Sequence, residues 1–247
     1  MKNQFASVVL TLAMSAVCGV ASAQDFTPSY SPSFTSDMNS AVNMGIQLRR
    51  DSERPRGTSS RSTASSSAAS RVGSTTYRSS PAVTQRVKQQ FADFVGRSAG
   101  PQGATDIATA LARGDAVESW AGIVRSDGLR PGDLADAMAA YWVLNWVIAN
   151  QSDNNRVQTI AARDQLRGII ASNANLSRLS DAERQEMSEA LMLNFLVQHA
   201  AYTNAIQAGD NAAMRRLGDA AVARFRSEAG VNLRNVQLTN TGFTPGA

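Results

Sequence analysis

The sequence predicts an all-α fold, a compact bundle of about six to seven helices that occupies residues 81–247. Apolar residues recur at spacings of three and four along most of this stretch, which is the helical period. Helix start and stop signals separate the apolar runs, among them a capping box from Ser180 to Glu183 and a glycine stop at Gly230. No two neighbouring segments alternate apolar and polar residues as paired strands do.

The boundaries of the individual helices are predicted from their flanking residues. Serine before proline, or aspartate before an apolar run, is typical of a helix start, and glycine or proline is typical of an end. Seven helices result. In chain order their boundaries are Ser80–Pro81 to Gly100–Pro101, about 103 to 112, Asp115 to Asp127–Gly128, a start at Asp133, a start at Ser152–Asp153, Ser180 to about Ala208, and Gly209–Asp210 to Gly230.

The fourth helix is predicted to lie at the centre of the bundle. Residues 141–148 are apolar on nearly every side, and a helix of that kind is normally surrounded by others. The tail from Val231 to Ala247 carries scattered large apolar residues. We expect it to pack as an extended strip over the helices.

The N-terminus has the pattern of a secretory signal peptide over residues 1–23. Lys2 precedes a largely apolar run from Val8 to Met14, and Ala21-Ser22-Ala23 is a small-residue cleavage site. Cleavage before Gln24 removes Cys18, the one cysteine of the chain. The mature chain, which has no apolar run long enough for a transmembrane segment, is then expected in the periplasm or outside the cell.

Two segments separate the signal peptide from the helical domain. Residues 24–48 are compatible with one short amphipathic helix. Residues 49–80 form a basic linker, in which 14 of the 24 residues from Gly57 to Ser80 are Ser or Thr. Because this composition offers too little apolar surface to offset the entropy cost of ordering, the linker is predicted to be disordered.

Charge is divided unevenly between the linker and the domain. The whole chain has a net charge of +4. Seven arginines against two carboxylates make residues 49–80 basic, whereas acids and bases balance in residues 81–247. A domain that binds nucleic acid carries its own positive excess, so nucleic acid is not an expected partner. The linker either contacts anionic lipid or cell-wall polymer or is a solvated tether.

Three short patterns lie at the start, middle and end of the helical domain. They are Tyr77-x-x-Ser80-Pro81-x-Val83, Tyr141-Trp142-x-x-Asn145-Trp146-x-x-Ala149-Asn150 and Leu238-Thr239-x-x-Gly242-Phe243. Together, over residues 77–243, they resemble an uncharacterised family of exported bacterial proteins. The resemblance implies a signal peptide, a variable linker and a C-terminal all-helical domain of unknown function, and it implies no activity, catalytic residue or partner.

Candidate catalytic and metal-binding residues are few. His199 is the one histidine and lies mid-helix, so no His-based metal cluster is predicted, and no metal or cofactor is expected. Glu118-Ser119 resembles the helix-end Glu and Ser of lytic transglycosylases, in which the Glu is a general acid on cell-wall glycan. Trp120 would supply the apolar surroundings that raise a carboxyl pKa. The Gly-Leu-Met-Gln and Ala-Tyr-Asn segments of that family are absent from this sequence.

Large aromatic side chains on the central helix form a second candidate site. Tyr141, Trp142 and Trp146 either pack in the core or line a groove for a small apolar ligand or a partner helix. Asn145 and Asn194 stand at positions that otherwise face the core. Because a buried amide needs partners, we hypothesise that an Asn–Asn or Asn–backbone bond between the two long helices fixes their register.

These observations favour a non-enzymatic exported protein that serves interaction or envelope structure, with another envelope or secreted protein as its partner. Two alternatives stay open. One is a peptidoglycan-acting hydrolase or transglycosylase that uses Glu118. The other is a carrier of a small apolar ligand at Tyr141, Trp142 and Trp146. A closed core favours interaction, a carboxyl at the base of a long cleft favours the enzyme, and a dry cavity favours the carrier.

Overall fold

The structure is a computed structural model, and it describes residues 74–246. The predicted signal peptide at residues 1–23, the segment at 24–48 and most of the linker at 49–80 lie outside the described residues. Within them 76% of residues are helical, which confirms the all-α class. The elements are α1 (Pro81–Arg113), α2 (Ala116–Val124), α3 (Leu134–Asn150), α4 (Arg156–Ser172), α5 (Asp181–Gln207), α6 (Asn211–Ala229), β1 (Val236–Thr239) and β2 (Gly242–Pro245).

Helix α1 consists of two helical segments that meet at a kink. Gly100 has φ of 79° and ψ of 177°, and Pro101 follows it. Glycine adopts a positive φ without the steric cost that a Cβ imposes. The predicted break at Gly100–Pro101 is therefore confirmed. With the two segments counted separately, residues 74–246 contain seven α-helices, in agreement with the predicted number.

Most of the predicted capping residues begin their helices. The Ser180 hydroxyl accepts a hydrogen bond from Glu183 N, and the Glu183 carboxylate accepts one from Ser180 N, which confirms the capping box of α5. These bonds satisfy backbone N–H groups that the first helical turn leaves without partners. Asp115, Asp133 and Asp210 cap α2, α3 and α6 with one side-chain oxygen each, and Gly230 follows α6 with φ of 66°.

One predicted cap is wrong, and another is made differently. Helix α4 is capped by Asn155 rather than by Ser152–Asp153. Asn155 accepts a bond from Gln158 N, and the Gln158 side chain returns one to Asn155 N, so a complete capping box forms one turn later than predicted. Ser80 stands at the N-cap position of α1, but its side chain makes no capping bond. Its backbone N–H and C=O bond instead to the side chain of Gln185, at 2.7 and 3.0 Å.

Helix α3 lies at the centre of the fold, as its apolar sequence predicts. It packs against α4, α5 and α6, and against the turn at Leu233–Asn235. Of its 17 residues, 14 are buried, including the large side chains of Tyr141 and Trp142. Because neighbours cover it on several sides, its aromatic side chains can be buried on more than one face.

The C-terminal tail forms a β-hairpin, which corrects the expectation of an extended strip and of no strand pair. Strands β1 and β2 are antiparallel, with Leu238 opposite Phe243 and Thr239 opposite Gly242. The burial of β1 alternates, but the first three residues of β2 are all buried, so the sequence shows no alternating partner for β1. The hairpin packs on α4, so its position over the helices agrees with the prediction although its conformation does not.

Two glutamines of α4 bond the backbone of the hairpin. Gln158 Nε2 donates to Leu238 O at 3.1 Å. Gln165 Oε1 accepts from Phe243 N at 2.7 Å, and Gln165 Nε2 donates to Phe243 O at 3.0 Å. An isolated two-stranded hairpin is marginally stable at best in water. These side-chain bonds and the packing on α4 therefore fix the tail in this conformation.

Residues 74–80, the end of the predicted linker, lie on the helical domain. Leu134 N donates to Thr75 O at 2.9 Å, and Tyr77 N donates to Gly132 O at 3.0 Å. Thr75 is buried. The chain is thus held against the start of α3 by backbone hydrogen bonds before α1 begins.

Candidate functional site

A small cavity lies where α1, the start of α2 and α5 meet. Its polar lining consists of Thr84 and Lys88 from α1, Asp115 at the cap of α2, and Glu189 from α5. An apolar wall with a few converging polar groups is the usual composition of a ligand site, but ligand sites measure about 300–1,000 Å³. This cavity has a volume of about 10 Å³, which is room for about one water molecule. The apolar wall here is formed by Val87, Ala116, Val117, Met192 and Leu193.

Glu189 is the buried carboxylate of this cavity, with 6% of its surface exposed. Its Oε1 accepts hydrogen bonds from Thr84 Oγ1 at 2.9 Å and from Gln185 Nε2 at 2.8 Å. Burial raises the pKa of Glu189, and these two bonds offset part of that rise. Lys88, the one cation of the lining, donates its Nζ hydrogen to Leu111 O at 2.9 Å. Neutral donors therefore hold the Glu189 carboxylate in place.

The cavity belongs to a polar contact between α1 and α5. Gln185, Glu186 and Ser188 are buried on α5 together with Glu189. Arg86 of α1 binds Glu186 Oε2 through Nε at 3.0 Å and Nη2 at 2.7 Å. Because each buried group needs a partner, this contact joins the two helices by a specific set of hydrogen bonds and not by apolar packing alone.

Tyr77 brings the docked N-terminal segment next to this polar contact. Burial raises the pKa of Tyr77 to about 12. A side-chain hydrogen bond with Ser188 acts in the opposite direction, and the negative charge of Glu189 adds to the rise. The phenol of Tyr77 therefore lies close enough to Glu189 of the cavity to be affected by its charge.

Glu118, the predicted general-acid candidate, lies on the surface of α2. Its side chain is 71% exposed and stands 3.6 Å from Arg125, whose side chain is 75% exposed. Trp120, the expected source of apolar surroundings, is completely buried in the core. A carboxyl that works as a general acid near neutral pH needs desolvation that this position does not provide. The structure therefore does not favour the transglycosylase-like alternative.

The aromatic side chains of α3 are part of the core and of its boundary. Tyr141 and Trp142 are buried, and both contact Phe225 of α6: Tyr141 stacks at a centroid distance of 5.6 Å and Trp142 meets its edge at 4.8 Å. Trp146 is partly buried, and its Nε1 donates to Val236 O of β1 at 2.7 Å. These side chains thus join α3 to α6 and to the hairpin. The carrier alternative needs an open groove at these side chains, and in the described residues they are packed against their neighbours instead.

The amide of Asn145 is buried and bonded. Its Nδ2 donates to Tyr141 O at 2.8 Å, one turn earlier on α3, and its Oδ1 accepts from Arg224 Nη2 at 2.5 Å. Asn194 is buried on α5. The side chain of Asn145 thus bonds α3 to α6, whereas the sequence-based hypothesis expects a bond between α3 and α5.

A cluster of charged residues holds the start of α3 to α4. Arg167 Nη2 lies 2.7 Å from Asp133 Oδ2 and 3.2 Å from Asp136 Oδ1, and both aspartates are buried. Burial raises the pKa of Asp136, and a bond from Arg130 N to its Oδ2 at 2.9 Å offsets part of the rise. Arg167 Nε also donates to Thr75 Oγ1 at 3.4 Å. The cluster therefore ties residues 74–80 to two helices at once.

Two further classes of feature are not found in residues 74–246. No group of three or more His, Cys, Asp or Glu side chains in this range is placed to hold a metal ion. None of the helices in the same range has the length and apolar run needed to cross a bilayer.

A family comparison extends over nearly the whole chain. The model of a family of unknown function, DUF6683, matches residues 5–244. The chain belongs to this family. The match begins far upstream of Tyr77, so it covers more of the sequence than the three short patterns in residues 77–243 do. It confirms a family of unknown function with a helical domain. Comparison with curated proteins and with solved structures finds no match.

Sequence reasoning missed Glu189, the most buried carboxylate of the cavity lining. A signal was present: Gln185, Glu186 and Glu189 lie in the polar first turns of α5, immediately before its apolar run, at spacings of one, three and four. Such residues share one helix face, so they indicate a buried polar contact with another helix. The hydrogen-bond partner of Glu189, Thr84, lies 105 residues earlier in the chain, and no sequence pattern around Thr84 indicates this contact.

Proposed function

We propose that this member of DUF6683 is an exported, non-enzymatic interaction protein of the cell envelope. Residues 1–23 direct export, residues 49–80 contact an anionic polymer or lipid surface, and the helical domain binds another envelope or secreted protein.

The division of charge supports this proposal most directly. Residues 49–80 hold seven arginines and two carboxylates, whereas residues 81–247 are electrically balanced. A basic segment attached to a neutral domain attracts polyanions through the segment alone. Each arginine near an anionic membrane surface contributes about 1 kcal/mol of binding free energy.

The attachment of the linker to the domain also supports it. Backbone bonds from Leu134 and to Gly132 hold Thr75 and Tyr77, and Arg167 reaches the Thr75 hydroxyl. A basic segment that starts from a fixed point on the domain keeps the domain within the length of the linker from the surface that the segment contacts. The linker then brings the domain to its partner.

Co-sedimentation of the purified chain with anionic phospholipid vesicles, and separately with peptidoglycan sacculi, tests the surface contact. In the test variant, glutamine replaces the six linker arginines that lie upstream of the docked residues. Because each lost arginine removes about 1 kcal/mol, we expect binding to weaken more than about 100-fold. The six are Arg49, Arg50, Arg54, Arg56, Arg61 and Arg71.

A matched variant removes the same charge from the domain. It carries glutamine at six exposed arginines and is expected to keep its binding within about threefold, since long-range effects are screened over about 8 Å at physiological salt. Equal weakening in both variants, or no binding of the parent chain to either material, contradicts the proposal. The six are Arg97, Arg113, Arg125, Arg130, Arg215 and Arg216.

Export is tested independently by the N-terminus of the protein made in its own cell. The cleavage pattern predicts a mature chain that begins at Gln24 and is recovered outside the cytoplasm. Intact-mass analysis of the recovered chain measures this. A chain that keeps Met1 and stays in the cytoplasm contradicts the proposal.

A further inference from the structure

We propose that residues 74–80 are a releasable strap, which leaves the helical domain as one unit while α1 to α6 stay folded. When the strap is docked, the linker joins the domain at Thr75, beside the start of α3. When the strap is released, the linker joins the domain at Pro81, six residues later. Release therefore lengthens the linker and uncovers the surface of α3 and α5 beneath the strap. This proposal goes beyond the proposed function and does not depend on what the linker or the domain binds.

The first argument is the small apolar surface that holds the strap. Thr75 is buried and Tyr77 is partly buried, so these two side chains face the domain. Ser74, Thr76 and Arg78 are exposed, and burial therefore alternates as in an extended strand. Tyr77 is the one large apolar side chain among the seven residues. A segment with so few buried apolar contacts opens at a lower free energy than the core of a domain does.

The second argument is that α5 keeps its own partners when the strap leaves. Gln185 Oε1 accepts from Ser80 N at 2.7 Å, and Gln185 Nε2 donates to Ser80 O at 3.0 Å. The same Nε2 also donates to Glu189 Oε1 at 2.8 Å and to Thr84 Oγ1 at 3.1 Å, both inside the helical domain. An amide nitrogen has two hydrogens, so the loss of Ser80 O leaves one acceptor for each of them.

Two further groups of α5 also keep a partner. Asp181 Oδ2 accepts from Arg78 N at 3.2 Å, and Arg184 Nη2 stays on Asp181 Oδ1 at 2.7 Å. Ser188 forms a hydrogen bond with the Tyr77 side chain, and its Oγ also donates to Arg184 O at 2.7 Å. A buried polar group that loses all its partners is costly, and these groups avoid that cost when the strap leaves.

The third argument is that the charged cluster at the start of α3 does not need the strap. Arg167 Nε donates to Thr75 Oγ1 at 3.4 Å, which is long for a hydrogen bond. Arg167 Nη2 lies closer to Asp133 and Asp136, at 2.7 and 3.2 Å, and keeps both when the strap leaves. Leu134 N loses Thr75 O, but Leu134 is the first residue of α3, where water satisfies N–H groups that have no partner within the helix.

Amide hydrogen exchange of the purified chain, followed by NMR at rising sub-denaturing concentrations of urea, tests the proposal. The amides of Tyr77 and Ser80 are bonded to Gly132 O and Gln185 Oε1, so they exchange when the strap opens. We expect both to exchange at least about tenfold faster than the core amides of α3, at a rate that urea leaves nearly unchanged. The α3 amides exchange through global unfolding, so their rate should rise steeply with urea.

Two alanine variants separate the side chain that holds the strap from one that does not. Tyr77→Ala is expected to accelerate exchange of the Ser80 amide at least about tenfold, because the strap loses its one large apolar contact. Arg78→Ala removes a long exposed side chain from the same strap, is the matched control, and should change the Ser80 rate less than about threefold. Acceleration at Ser80, three residues from Tyr77, indicates that the strap is released as one unit. The helical domain of both variants should keep the dispersed NMR spectrum of the parent.

Four results contradict the proposal. Equal rates with the same urea dependence in the strap and in α3 would mean that the strap opens when the whole domain unfolds. Unprotected amides at Tyr77 and Ser80 in the parent chain would mean that the strap is not docked. Equal Ser80 exchange in Tyr77→Ala and Arg78→Ala would mean that Tyr77 does not hold the strap. A Tyr77→Ala chain that does not fold would mean that the helical domain depends on the strap.

Discussion

At the scale of single residues, buried polar side chains add specific hydrogen bonds to a largely apolar interior. Asn145 is fully buried between aromatic neighbours, yet both ends of its amide are bonded, to Tyr141 O and to Arg224. Glu186 and Glu189 are similarly bonded from α1. Each of these bonds is directional, so it fixes how one helix lies against another in a way that apolar contact does not.

Replacing Asn145 by leucine removes the acceptor of Arg224 Nη2 in the core. We expect the free energy of unfolding to fall by about 2–3 kcal/mol, since a buried charged donor then loses a partner. Urea denaturation measures the change. The same substitution at Asn211, exposed at the first position of α6, is the control and should change stability by less than about 0.5 kcal/mol. An unchanged unfolding midpoint for Asn145→Leu would show that this amide does not stabilise the contact.

His199 gives the domain a predictable dependence on pH. Burial lowers its pKa below the usual 6.5, and its ring stacks on Phe195 at a centroid distance of 5.6 Å. The unfolded chain therefore binds a proton more readily than the folded chain, and stability falls as pH decreases below about 6.5. The NMR titration of the single histidine should give a midpoint below 6.5. His199→Gln should lose less stability than the parent between pH 7.5 and 5.5, and an equal loss in both contradicts the assignment.

At the scale of elements, the sequence predicts helices well and their contacts poorly. The capping residues Asp115, Asp133, Ser180 and Asp210 lie within a few positions of the groups they bond, so local patterns identify them. The hairpin depends on Gln165 of α4, which lies 78 residues from Phe243. No local pattern reports such a bond, which is why the tail is predicted as an extended strip.

Ser180→Ala tests the capping box of α5. The substitution removes the bond to Glu183 N, and we expect a loss of about 1 kcal/mol in the free energy of unfolding. Ser227→Ala, at an exposed position within α6, is the control and should change stability little, because alanine is a good helix former. Chemical denaturation measures both. An equal change in the free energy of unfolding for both variants would mean that the capping box stabilises the protein no more than the helix propensity of alanine accounts for.

Gln165→Ala tests what holds the hairpin. It removes both bonds to the Phe243 peptide group, and Phe243 is completely buried. We expect a loss of about 2–3 kcal/mol, because two backbone groups are left without partners away from water. Gln237→Ala, on the exposed side of β1, is the matched control and should cost less than about 0.5 kcal/mol. Hydrogen exchange of the Phe243 amide should accelerate in Gln165→Ala alone, and protection that persists there argues against the assignment.

At the scale of the whole molecule, composition and periodicity predict the class of fold because helix formation depends on neighbouring residues. Candidate sites depend on distant ones. Glu118 was conspicuous in the sequence and lies exposed, whereas Glu189 was inconspicuous and lines a cavity with Thr84. Charge is the exception, since the contrast between residues 49–80 and 81–247 can be counted directly. The proposed function therefore rests on a property that sequence alone supplies, together with the docking of residues 74–80 on the domain.

The central claim is that residues 49–80, and not the helical domain, contact the polyanion. Hydrogen–deuterium exchange of the purified chain, with and without anionic polymer, tests this claim most directly. The account predicts added protection in peptides within residues 49–80, removed by raised salt, and none in peptides of α1 to α6. Protection on the helical faces, or none along the linker at low salt, would contradict it.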